Sequence, residues 1–243
     1  MKTILVLVFL IISNISTGKQ IIENEVELPK SAHFVYEVFT NSDNEKIGTY
    51  EFSIKKSGES WLIDSTSDIY VKMFFMEVIV KEDTFFVFNG RDIVSYKIDS
   101  YKKIPFSGEK KVKLEGKVLN EVLKITGEAN NKSVKKEIKR KSYDHFKNLI
   151  SRIIGPFNLL QPKESVEMIE LDPADLTTST TIGKGLRIED VTFNNKKEKV
   201  YVIEYSNKAS DQSAEVYKFE NGLTYRVNGE RAYTKLKEMK INN

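Results

Sequence analysis

The chain offers few side chains for covalent chemistry. It has two histidines, His33 and His145, and no cysteine. The histidines lie far apart in sequence, and neither sits in the spacing of a metal site, where three or four nitrogen or sulfur ligands must converge. His145, in Tyr143-Asp144-His145, has no nucleophile or acid partner in a recognisable motif. Gly183-Lys184-Gly185 is too short to cradle a phosphate and reads as a turn. Asp172 and Asp175 flank Pro173, so their setting also reads as a turn rather than a general acid–base pair. These residues give no catalytic site, no metal site and no cofactor, and the expectation is that the protein is not an enzyme.

Two other groups of residues point to binding. The first is apolar. In residues 71–90, Met73, Phe75, Met76, Phe86 and Phe88 belong to a stretch that is apolar on both faces of an extended chain, whose side chains point to opposite sides in turn. The stretch reads as two short strands joined at Lys81-Glu82-Asp83. Phe146, Leu149 and Phe157 lie in a second apolar stretch. Methionine and phenylalanine together suit an adaptable apolar site, and small-ligand sites are mostly apolar. The second group is basic: Lys132, Lys135, Lys136, Lys139, Arg140 and Lys141, with Glu137 as the only acid among residues 132–141. Such a run fits an anionic membrane surface or an acidic envelope partner. It fits better an edge strand kept from pairing by its lysines. Asn131-Lys132-Ser133 also matches a glycosylation acceptor.

The elements that position these residues are mostly strands. His33–Thr40, Lys46–Lys56, Trp61–Val71 and Asp92–Ile98 alternate apolar and polar residues, as do Val200–Tyr205, Ala214–Phe219, Leu223–Val227 and Arg231–Leu236. Three Asn-Gly pairs, at 89–90, 221–222 and 228–229, stand between such runs. Both residue types tolerate positive φ, so these pairs predict antiparallel hairpins. Lys110–Leu114, Val118–Ile125 and Lys132–Lys139 are further candidates, with Gly108, Gly116 and Gly127 read as the turns between them. One segment departs from the period of two. Tyr143, Phe146, Leu149, Ile150 and Ile153 recur at helical spacing after Ser142 and before Gly155-Pro156, which predicts an amphipathic helix. The fold class expected is mainly β: a long, curved antiparallel sheet or open half-barrel with one amphipathic helix packed on it. That helix would cover Phe74, Met76, Phe86 and Phe88. The space between is either filled core or a cavity; the sequence supports both.

The address is set at the N-terminus. Lys2 precedes an apolar run from Thr3 to Ile12, followed by small and polar residues to Gly18. The run is too short to span a bilayer, which takes about 20 residues. It matches a signal peptide cleaved near Gly18, leaving one β-rich domain over 19–243 in an exported, periplasmic or secreted compartment. Without cysteine no disulfide can form there, so stability rests on the core. Removal of residues 1–18 takes away Lys2 and no acid, leaving 37 basic against 35 acidic residues. This near balance argues against nucleic acid as a partner.

Lys46-Ile47-Gly48-Thr49-Tyr50 in the first strand pair, the interruption midway and the hairpin Phe219-Glu220-Asn221-Gly222-Leu223 together resemble exported bacterial β-rich proteins of the domain-of-unknown-function kind. The outline is also similar to periplasmic lipoprotein carriers, whose half-open barrel shelters an acyl chain. The resemblance implies a curved antiparallel sheet and a place in the envelope, while the apolar stretches are what point to a lipid-like or other apolar small molecule as ligand. It assigns no role to any single residue.

Overall fold

The structure is a computed structural model that describes residues 30–73, 76–89, 92–105, 108–146, 159–208 and 212–242. The expected signal segment 1–18, Phe75, Leu149 and Phe157 lie outside these residues, as do the side chains of Met73 and Met76. The chain is mainly β and divides into two compact units. The first contains β1 (Ser31–Thr40), β2 (Lys46–Ser57), β3 (Ser60–Met73), β4 (Met76–Asn89), β5 (Asp92–Ile104), β6 (Gly108–Leu119), β7 (Val122–Ala129) and β8 (Lys132–Lys139). The second contains β9 (His145–Phe146), β10 (Ser165–Leu171), β11 (Thr178–Phe193), β12 (Lys196–Asn207), β13 (Gln212–Phe219) and β14 (Thr224–Asn228). β15 (Ala232–Asn242) gives residues to both.

In each unit strands that follow one another in sequence pair antiparallel, apart from the parallel pair β9–β10. Among the described residues β8 and β9 end the strand order. The turns are local. Asn120-Glu121, Asn130-Asn131 and Asn194-Asn195 all adopt positive φ, the conformation that asparagine tolerates best after glycine. At Asp172 the side-chain Oδ1 accepts from the amides of Ala174 and Asp175 at 2.9 and 3.0 Å, so this carboxylate shapes a turn, as its proline neighbour predicts.

The buried face of the first unit follows the period of two. Ala32, Phe34, Tyr36 and Val38 are buried on β1, and Tyr50, Phe52 and Ile54 on β2. Phe34 stands opposite Phe52, with stacked rings 4.5 Å apart. Burial of each such side chain contributes about 1.5–3 kcal/mol. One row across the sheet is Ile54–Ile63–Phe86–Tyr96–Gly116–Ile125. A Cβ at Gly116 would collide with the Tyr96 ring, so the glycine is what lets that ring lie flat across β6. The second unit repeats the device: Gly183 on β11 faces Tyr205 on β12, and its missing Cβ leaves room for that ring.

Several expectations are corrected. Lys81-Glu82-Asp83 is not a turn; β4 runs through it, held by pairing to β3 and β5 on both sides. Gly116 and Gly127 lie inside β6 and β7, and Gly183-Lys184-Gly185 lies inside β11, where the register shifts. The packed amphipathic helix is not found among the described residues. A short 3-10 turn, Arg140–Ser142, ends where that helix was expected to start, and His145–Phe146 is extended, because residues 145 and 146 pair with Glu170 and Leu171 of β10. The rest of that segment, 147–158, lies outside the described residues.

Gly116→Val should cost about 1–3 kcal/mol by forcing the Tyr96 ring out of its place. Urea denaturation checks this, with the exposed neighbour variant Lys117→Ala expected within about 0.5 kcal/mol of the parent.

Candidate functional site

The apolar residues singled out by sequence divide between the two units. Phe86 and Phe88 are buried in the first, with ring centroids 6.1 Å apart, and Phe86 stacks on Tyr96 at 6.0 Å. Phe146 is buried in the second, edge-on to Tyr143 at 5.3 Å. The opposite face of β4 is only half covered: Ile79, Phe85 and Val87 are intermediate in exposure. The apolar stretch is thus asymmetric, with one face in the core and one partly open.

The buried face of the first unit is not uniformly apolar. Ser65 and Ser67 on β3, Thr84 on β4, and Ser100 and Lys102 on β5 are all buried. The pairing register lines them up. One row is Phe34–Phe52–Ser65–Thr84–Ile98–Leu114, and its neighbour is Tyr36–Tyr50–Ser67–Glu82–Ser100–Val112. In the first row the Ser65 and Thr84 hydroxyls satisfy each other at 2.6 Å. In the second, Glu82 meets Lys102 Nζ at 3.1 Å, with side chains only 12% and 9% exposed. Burial first, and Tyr50 second, push the Tyr36 phenol above its ordinary range, so it stays protonated.

Sequence reading missed this band, although it left a mark. Between Ile63 and Ile69 the inward phase of β3 is occupied by Ser65 and Ser67, and between Val80 and Phe86 that of β4 by Glu82 and Thr84. Polar residues at core positions of an otherwise alternating strand are the signal.

The outward face of β3–β7 carries an open trough of about 660 Å³. Its charges are largely paired with one another: Lys97 with Glu115 at 2.6 Å and Lys113 with Asp99 at 2.7 Å, while Thr66 donates to Asp83 at 2.8 Å. These exposed pairs are worth little and shape a solvated surface. In the second unit Arg187 grips Glu215 with two donors, at 3.0 and 3.3 Å, and Tyr217 donates to the same carboxylate at 2.8 Å. Arg187 holds the Glu215 carboxyl below its usual range; burial, then the bond to Glu215, pushes the Tyr217 phenol up to about 12. Glu170 is fully buried and accepts from Thr181 Oγ1 at 2.8 Å, and Lys218 is fully buried as well.

Lys132, Lys135, Lys136 and Lys139 are exposed on the end strand β8, and Lys141 on the 3-10 turn; Arg140 is half-buried. Glu137 is engaged by Lys124 of β7 at 3.3 Å. His33 Nδ1 lies 3.0 Å from Ser53 Oγ, and its Nε2 is 3.8 Å from Glu51. Among the described residues no group of three or more histidine, cysteine or carboxylate side chains is arranged to hold a metal ion.

No family model matches the chain, and no curated protein matches it. Among solved structures it is similar to a β-barrel-like protein of domain of unknown function DUF1849 from Brucella abortus. The identity is 10% and the TM-score 0.60, over 88% of this chain and 98% of that one. At this identity the likeness is one of fold. The resemblance to bacterial β-rich proteins of unknown function holds at that level.

Glu82→Gln should destabilise the protein by about 3–5 kcal/mol, because it removes the charge that the buried Lys102 ammonium meets at 3.1 Å. The double variant Glu82→Leu with Lys102→Met should recover most of that loss. Equilibrium unfolding of the three proteins decides, and equal stabilities for parent and Glu82→Gln would show that the pair is solvated.

Proposed function

We propose that the protein is an exported, non-enzymatic binder of an apolar or amphipathic, lipid-like ligand, held along the buried face of the first unit's sheet. The observation that supports this is the mixed character of that face: aromatic rows at Phe34, Phe52, Phe86 and Tyr96 beside a band containing a buried ion pair and buried hydroxyls. A face serving only as core gains nothing from such a band, since a buried ion pair is often no more stable than the apolar residues that could replace it. Apolar walls with a few placed polar groups are the usual composition of a small-molecule site. The N-terminal signal pattern supports the exported compartment. Protein recovered from that compartment should begin at Lys19, and organic extraction of it should release a lipid identifiable by mass spectrometry. Folded protein that repeatedly comes free of lipid would remove this reading.

A second reading rests on β8. Lys132, Lys135 and Lys139 are exposed on a strand that pairs on one side only among the described residues. Each basic residue near an anionic surface contributes about 1 kcal/mol, and salt weakens the attraction. On this reading Lys135→Glu with Lys139→Glu abolishes co-sedimentation with phosphatidylglycerol vesicles while circular dichroism is unchanged. Undiminished sedimentation would assign those lysines to solubility alone.

A further inference from the structure

We propose that the edge of β8 receives residues 22–28 of a second copy of this chain, so that copies join head to tail by strand addition. This goes beyond the ligand-binding reading and does not depend on it. For the β8 lysines it offers a protein partner in place of a membrane.

Among the described residues β8 pairs with β7 alone, so its far side offers backbone donors and acceptors to an added strand. Its two faces differ. Lys135 and Lys139 are exposed on the outward face, and among the described residues neither meets a counter-charge. Val134 and Ile138 lie on the inward face and are only half-buried, although they end rows in which Leu114 and Leu123 are buried. A second β8 is a poor partner for this edge, because it would bring lysine toward lysine.

The sequence just before β1 supplies both complements. Residues 22–28, Ile-Glu-Asn-Glu-Val-Glu-Leu, alternate at the period of a strand. Glu23, Glu25 and Glu27 share one face, and Ile22, Val26 and Leu28 the other. Laid parallel to β8 with Glu23 beside Lys135, the segment sets Glu27 beside Lys139, Ile22 beside Val134 and Val26 beside Ile138. Glu25 then falls beside Glu137, whose charge Lys124 already holds. One register thus pairs charge with charge and apolar with apolar.

The segment lies outside the described residues, and its tether decides which copy it serves. Only Pro29 separates it from Lys30, whose carbonyl accepts from the Lys56 amide at 2.8 Å. In the strand order β8 stands seven strands from β1, about 33 Å along the sheet. One residue spans no more than about 7 Å between its neighbours. The segment therefore reaches the β8 of another copy rather than its own.

The test uses the mature chain, residues 19–243, in analytical ultracentrifugation over a range of concentrations. The expected result is concentration-dependent assembly that salt weakens, since a head-to-tail contact does not close at two copies. Glu23→Lys with Glu27→Lys, and separately Lys135→Glu with Lys139→Glu, should each weaken assembly at least about tenfold, the scale of two exposed charge pairs turned from attraction to repulsion. Mixing the two variants should restore it, because each reversed element then meets its opposite charge. Both should keep the parent's circular dichroism; for one that does not, deletion of residues 19–28 takes its place and should abolish assembly. A parent that stays monomeric at every concentration overturns the proposal. So does assembly that no variant weakens, or a mixture that assembles no better than its parts. A monomeric parent that sediments with phosphatidylglycerol vesicles through Lys135 and Lys139 would give the edge to the membrane instead. None of these results touches the lipid-ligand reading.

Discussion

Strand register is the constraint on which the described structure depends. In a pleated strand the side-chain period is two, so a slip of one residue exchanges every inward side chain for an outward one. On β1 that slip would replace Phe34, Tyr36 and Val38 with His33, Val35 and Glu37. The register is pinned at several points. Phe34 stacks on Phe52, and Tyr96 and Tyr205 each lie across a glycine of the next strand. Glu37, held by Lys46 at 2.8 Å and by Lys237 at 3.1 Å, marks the outward side of the same strand. A ring placed over a glycine fits one register only, because every other residue brings a Cβ into the ring.

The same alternation places the polar band inside. Ser67, Glu82, Ser100 and Lys102 occupy inward positions because their neighbours two residues away are fixed there by burial. The sheet cannot expose Glu82 without exposing Val80 and Phe86 on the same strand. The band is therefore maintained by the apolar residues around it, at a cost offset by their burial.

The strands whose neighbours are also their partners could be read from the sequence, since both alternation and turn chemistry are local. His33–Thr40, Lys46–Lys56 and Lys132–Lys139 appear with nearly the bounds expected. The misreadings share a cause: local features whose meaning is set by a distant partner. Lys81-Glu82-Asp83 resembles a turn until Lys102 is seen beside Glu82. Gly116 resembles one until the Tyr96 ring is seen over it. Tyr143 and Phe146 are three residues apart, as on a helix, yet Phe146 pairs parallel to Leu171, 25 positions later. No window along the chain contains that partner. The polar band was visible as a gap in the inward phase of β3 and β4, but the register that turns this gap into one transverse row comes only from the pairing.

The first unit closes with the final residues of the chain. β1 neighbours β15, Lys237 reaches Glu37, and Asn242 donates to Ser31 at 3.2 Å. Every other ladder in this unit joins strands adjacent in sequence and can zip up as each hairpin emerges. This seam must wait for some two hundred residues of intervening polypeptide to be made, and such long-range closure is slow. Until then the outer edge of the first strand stands bare, an invitation to mispairing. A truncation of a few residues at the far end would therefore be felt first at the beginning of the molecule.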